Sequence, residues 1–228
     1  MSVVEFTDPI DIHNSLNPDI WDGEHLRNDV RVALLKIAKE YYQFLDINVP
    51  LMDVIITGSQ ANYNYTKYSD LDLHLVVPYE KVQCDMAIDK LFKTKRDLWR
   101  ANHDILIHGV QVELYAEDVE EPVTGSTYSV VRGEWLRKPT PITGGYDKKE
   151  VMRLVDLWER IINKAIATDN LEVCRSVKDL LRTFRQAGLD KSGEMNPANL
   201  AFKSLRNDGY VGKLIDAIRR LKDEQLSI

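Results

Sequence analysis

Two stretches decide how this chain is read: Asp53-Val54-Ile55-Ile56-Thr57-Gly58-Ser59 and, with ten residues between Ser59 and Asp70, Ser69-Asp70-Leu71-Asp72-Leu73-His74-Leu75. The first is a short apolar run rich in β-branched residues that stops at a glycine, the pattern of a strand running into a turn. In the second, Leu71, Leu73 and Leu75 alternate with Asp70, Asp72 and His74. A strand places the leucines on one face and the polar residues on the other. Gly58 lets the backbone turn sharply and approach a ligand. The Ser59 hydroxyl and neighbouring backbone N–H groups suit phosphate oxygens. The plain alternative for Gly58-Ser59 is a turn and nothing more.

Asp70 and Asp72 leave the same strand face, close enough to share one or two Mg²⁺ ions. Without a cation or bases to neutralise them they repel each other. An exposed edge strand with a polar face is the structural alternative. Farther along, Val110 to Tyr115 reads as a strand whose Val110, Val112 and Leu114 face the core and whose Glu113 stands between two of them. If that strand lies beside the Asp70 strand, Glu113 joins Asp70 and Asp72. Three carboxylates then form a two-metal site suited to in-line displacement with pyrophosphate leaving.

The order strand, Gly58-Ser59, spacer, Ser69-Asp70-Leu71-Asp72-Leu73, then Val112-Glu113-Leu114 resembles the nucleotidyltransferase superfamily typified by DNA polymerase β and the small bacterial and phage nucleotidyltransferases. The matching region covers residues 51–116. The resemblance implies a mixed β-sheet that carries the site, a nucleoside triphosphate donor, and Mg²⁺ or Mn²⁺ on Asp70, Asp72 and Glu113. Gly58 and Ser59 would hold the triphosphate. The chain departs from the family pattern in two places. Thr57 stands where an apolar residue commonly precedes the glycine, and the loop Gln60 to Tyr65 lacks the arginine that some small members carry.

Around this centre the chain reads as α+β, a mixed sheet with flanking helices followed by a C-terminal helical domain. Leu26, Val30, Ala33, Leu34, Ile37, Tyr41 and Leu45 fall on one helical face, with Pro18 and Asp19 as start chemistry and Pro50 beyond the end. A second helical region begins at Pro78, with Val82, Met86, Ile88, Leu91, Leu98 and Trp99 as its apolar members. Ile105 to Ile107 and Val110 to Tyr115 flank His108-Gly109, a tight-turn pair. Prolines and glycines break the pattern from Glu117 to Tyr146, leaving room for one short strand near Tyr128 to Val131. Four helical stretches follow: Val151 to Ile162, Val173 to Phe184 with Gly188 as its stop, Pro197 to Leu205, and Val211 to Leu221. The expected division is 1–125 for the sheet domain, 126–146 for a connector and 147–228 for the helical domain.

Composition bounds the function. The 228 residues are 44% hydrophobic and 29% charged with a net charge of -6, ordinary globular material without the basic excess of a nucleic-acid coat protein. The charge is uneven: residues 147–228 carry 16 Lys/Arg against 13 Asp/Glu, so the front of the chain holds all of the acidic excess. No apolar run reaches the roughly 18 residues of a membrane helix. The acidic start Met1 to Asp11 is unlike a signal peptide, so a cytoplasmic protein without a membrane partner is expected. Cys84 and Cys174 form neither a zinc motif nor a disulfide framework and read as inert thiols.

Lys203 and Arg206, three apart beside the core stripe Ala198, Phe202 and Leu205, are neighbours on one helix. They either bind the triphosphate, as helical domains in the superfamily often do, or are ordinary surface bases. His74 either tunes the metal site or is hydrogen-bonded within its domain. Lys67 either meets a phosphate or is solvated, and Tyr63, Tyr65 and Tyr68 either stack on a base or pack on the domain. The expected activity is transfer of a nucleotidyl group from an NTP to a hydroxyl of protein, tRNA or other RNA, a small molecule or a second nucleotide. The alternative is a module of the same fold that binds nucleotide, RNA or a partner protein without turnover.

Overall fold

The computed structural model describes residues 11–83, 87–141 and 145–227. Cys84, Met86, Gly144 and the N-terminal stretch 1–10 lie outside the described residues. The described residues form two compact units, 11–141 and 145–227. Among them no helix is long and apolar enough to cross a membrane.

The first unit opens with a small antiparallel pair, β1 (Trp21–Asp22) and β2 (His25–Leu26), followed by α1 (Asn28–Leu45). Pro18 and Asp19 therefore do not start the helix. The Asp19 N–H bonds to the Asn17 carboxamide oxygen at 3.0 Å, in a turn that precedes the β1–β2 pair. Next come β3 (Asp53–Thr57), β4 (Leu71–Val77), α2 (Ile88–Asn102), β5 (Leu106–Ile107) and β6 (Val110–Asp118). The last strands are β7 (Thr127–Ser129) and β8 (Glu134–Arg137). The stretch marked as a connector thus carries two strands, and β7 pairs with β3.

The six-stranded sheet has the order β5-β6-β4-β3-β7-β8 and is mixed. β4 and β6 are parallel, joined through α2, because a parallel pair needs a long crossover. The β5–β6 hairpin turns at His108 and Gly109, both with positive φ (49° and 83°), the geometry a two-residue hairpin demands. One sheet face is the core. Val54, Ile56, Leu71, Leu73, Leu75, Val77, Val112 and Leu114 pack with Val30, Leu34, Ala38, Tyr41 and Leu45 of α1 and with Phe92 and Trp99 of α2. Leu98, expected in that stripe, is instead exposed.

The second unit consists of α3 (Lys148–Ala167), α4 (Leu171–Ser192), α5 (Pro197–Asn207) and α6 (Tyr210–Leu226). Asp147, Asn170 and Asn196 cap the first three by accepting from backbone N–H groups of the opening turn, which fixes where those helices begin. Trp158, Ile162, Leu181, Leu200, Leu205 and Leu214 are among its core. Cys174 is buried there, and burial raises its thiol pKa. Gly188 does not stop its helix, because α4 continues to Ser192 and ends at Gly193, where φ is 71°. A Cβ at Gly188 would stand 2.6 Å from Asn196 Oδ1 and 2.8 Å from the Ala198 Cβ, so the glycine admits the start of α5.

Candidate active site

The sheet face opposite the core is chemical. Along β3, β4 and β6 the register aligns Thr57 with Asp72 and Asp72 with Glu113. The next row is Ile55, His74 and Tyr115. Neighbouring strands lie about 4.8 Å apart, so Asp72 and Glu113 leave adjacent strands side by side. Asp70 stands one residue before β4, and alternation puts it on the face of Asp72.

Gly58 leaves β3 with φ 74° and ψ −160° and leads into a single 3-10 turn, Ser59–Ala61. That backbone region is nearly closed to other residues. The position is also crowded, since a Cβ there would stand 2.1 Å from Asp72 Oδ2. The absent side chain is thus what lets the turn touch the carboxylate. Gln60, buried at 1% exposure, then ties the following loop at both ends. It accepts from Asn17 Nδ2 at 3.0 Å and donates to the Ser69 carbonyl at 3.0 Å, while its own carbonyl accepts from Trp21 Nε1 at 2.7 Å. This staple fixes Ser69, and with it Asp70, relative to Gly58. Nothing in the sequence marks Gln60, because a buried amide looks like any polar loop residue.

Glu113 is held on both oxygens. The Tyr115 hydroxyl donates to Oε2 at 2.6 Å, and Arg100 of α2 reaches Oε1 at 2.9 Å. Burial, together with the Glu113 and Asp72 carboxylates, keeps the Tyr115 hydroxyl well above the usual tyrosine range, so it stays a donor. Sequence reading missed both partners, although Tyr115 was findable as the residue two beyond Glu113 on the same strand face. His74 stacks on Tyr115 with ring centroids 4.7 Å apart and bonds through Nδ1 to Glu117. Its bond to the Glu117 carboxylate lies within its own domain.

Among the described residues no group of three or more His, Cys, Asp or Glu stands in ligating arrangement. The donor set suits Mg²⁺ or Mn²⁺ chemically, being hard carboxylate oxygens on neighbouring strands. Glu113, however, faces Arg100 and Tyr115 in this conformation. A cleft of about 360 Å³ runs from Thr57, His74 and Tyr115 to Tyr79, Glu117 and Glu121. Burial raises the pKa of Tyr79, and the carboxylates of Asp89, Asp118, Glu117 and Glu121 push it further in the same direction, so the far end of the cleft is acidic.

Of the loop tyrosines, Tyr63 packs on the core, Tyr65 stacks on His13 with centroids 3.9 Å apart, and Tyr68 is exposed with Lys67 5.0 Å from its ring.

In the helical unit, Lys203 lies 3.7 Å from Glu194. Burial lowers its pKa, Glu194 opposes that, and Arg206 and Arg185 add to it. Arg206 is exposed on the same helix. Arg185 lies 4.6 Å from the Phe202 ring and donates to Asn199 Oδ1 at 3.1 Å. The cluster therefore has a third base that the sequence reading missed, because α4 and α5 are separate in sequence.

No family model matches this chain, and neither does any characterised protein or solved structure.

Proposed function

We propose that this protein is a metal-dependent nucleotidyltransferase with the fold of the DNA polymerase β-like superfamily, acting in the cytoplasm. The observation that carries the reading is the pairing of Asp72 with Glu113 on adjacent parallel strands, with the Gly58 turn packed against the Asp72 carboxylate. Asp70, Asp72 and Glu113 are the residues that would hold Mg²⁺ or Mn²⁺. A cation there supplies charge neutralisation at the α-phosphate and makes the acceptor hydroxyl more acidic. The Gly58-Ser59 turn offers backbone N–H groups and a hydroxyl to the triphosphate. Within the helical unit, Lys203, Arg206 and Arg185 form a basic cluster suited to phosphate oxygens. The cleft beginning at Thr57 receives the acceptor. The acceptor oxygen bonds to the α-phosphorus, the bond to the bridging oxygen breaks, pyrophosphate leaves and the hydroxyl proton is released.

The second reading, a nucleotide-binding module without turnover, is favoured by one observation: Arg100 and Tyr115 occupy both oxygens of Glu113. Incubation with each α-labelled NTP, Mg²⁺ or Mn²⁺ and a whole-cell extract separates the two. Turnover predicts label on an acceptor and pyrophosphate release, both lost in Asp72→Asn and Glu113→Gln. Heat stabilisation by NTP with no pyrophosphate release would establish the binding module instead.

A further inference from the structure

The two partners of Glu113 are held very differently. Tyr115 is part of β6, and its ring is contacted by His74, with centroids 4.7 Å apart, and by the Arg96 guanidinium, 5.3 Å from its centroid. Arg100 comes from the last turn of α2, and its side chain is 70% exposed, whereas that of Glu113 is 14% exposed. An exposed cation thus covers one oxygen of a sheltered carboxylate, and a donor stacked within the sheet face covers the other.

Resting on the active site proposed above, we infer that Tyr115 is the positioning residue of Glu113 and that Arg100 is its exchangeable counter-ion, displaced when a divalent cation enters beside Asp72 and Glu113. A divalent cation held by that carboxylate would repel a guanidinium on the same oxygen. Arg100 leaves with little loss of packing, because its side chain is 70% exposed. Glu113 stays where it is, because the bond from Tyr115 to its other oxygen does not compete with the cation. Until then Arg100 offsets part of the repulsion between Asp72 and Glu113 on adjoining strands.

The two partners then have opposite effects on metal affinity, which a purely structural role for either would not produce. Calorimetric titration of Mn²⁺ into the full chain reads this without turnover. Arg100→Ala should bind Mn²⁺ about two- to five-fold tighter than wild type, the range an exposed ion pair can withhold. Arg100→Lys should restore the wild-type value, and Tyr115→Phe, which keeps the ring, should bind several-fold weaker. Equal or weaker binding by Arg100→Ala, or unchanged binding by Tyr115→Phe, overturns the inference. If in either case Asp72→Asn still abolishes Mn²⁺ binding, the active-site reading stands and only this assignment falls. If wild type and Asp72→Asn take up Mn²⁺ alike, both fall together.

Discussion

Replacing Gly58 by alanine probes the point where the turn meets the carboxylate. Two costs add. The backbone at φ 74° and ψ −160° lies in a region reserved almost entirely for glycine, and holding alanine there costs about 1–3 kcal/mol. The new methyl would stand 2.1 Å from Asp72 Oδ2, where ordinary contact needs about 3.4 Å, so the carboxylate must move by more than 1 Å. Forcing that side chain off its rotamer adds about 0.5–1.5 kcal/mol. The sum, about 1.5–4.5 kcal/mol, is a large share of the 5–15 kcal/mol typical of a folded protein, yet leaves the chain folded. Urea unfolding of Gly58→Ala, followed by tryptophan fluorescence, should therefore show a clear loss of midpoint. On the proposed transferase reading, a displacement of that size costs about a hundredfold in rate, so pyrophosphate release should fall accordingly. The two costs separate in a double-mutant cycle. In an Asp72→Ala background the steric part disappears and only the backbone part remains. A Gly58→Ala protein as stable as wild type, or a cycle with no coupling between the two positions, would refute the close approach of turn and carboxylate.

Gln60→Ala strands the Ser69 carbonyl and the Asn17 amide, so it should destabilise by about 2–3 kcal/mol and weaken Mn²⁺ uptake by loosening Asp70; denaturation and calorimetry check the two halves. Lys203→Met should raise stability by about 1 kcal/mol, since it removes a mostly desolvated charge, 19% exposed, whose partner Glu194 is 56% exposed and easily rehydrated. The pH dependence follows from burial lowering the Lys203 pKa from 10.5. Between the folded and unfolded values the unfolded chain binds more protons, so this residue's contribution to stability rises with pH there and is flat in Lys203→Met. Gly188→Ala should destabilise, by about 1–3 kcal/mol, because its methyl meets Asn196 and Ala198. A helix interior free of that contact would instead gain up to about 1 kcal/mol, so the sign of the change decides.

The parts of the fold that depend on period were legible. Strict alternation in Leu71 to Leu75 and the β-branched run Val54 to Thr57 located the two central strands, and His108-Gly109 located the hairpin. What escaped depends on partners distant in sequence. Pro18 and Asp19 look like helix starters, but Asn17 draws them into a turn and α1 begins ten residues after Pro18, at Asn28. Leu98 is as apolar as Phe92, yet only the latter faces the sheet, and Leu180 of α4 is likewise exposed. The four residues of β8 are mostly exposed at a sheet edge and leave no hydrophobic alternation to read. At the site, the carboxylates and Gly58-Ser59 were legible as a spaced motif, whereas Arg100 sits on a helix face that reads as solvated.

The two faces of one sheet explain that division. The core face is selected for apolar volume, which each strand advertises by itself. The opposite face gathers Asp72, Glu113, Tyr115 and His74 across two parallel strands, and like charges directly opposite each other are destabilising there. Such a face persists because the core face holds the strands in register and because Arg100 and Tyr115 engage Glu113. Its residues are therefore constrained by one another more than by the strand that carries them. A single strand's sequence states where a carboxylate points. Only the pairing of β4 with β6 states which charge stands beside it, and that neighbour is what a cation or a nucleotide would meet.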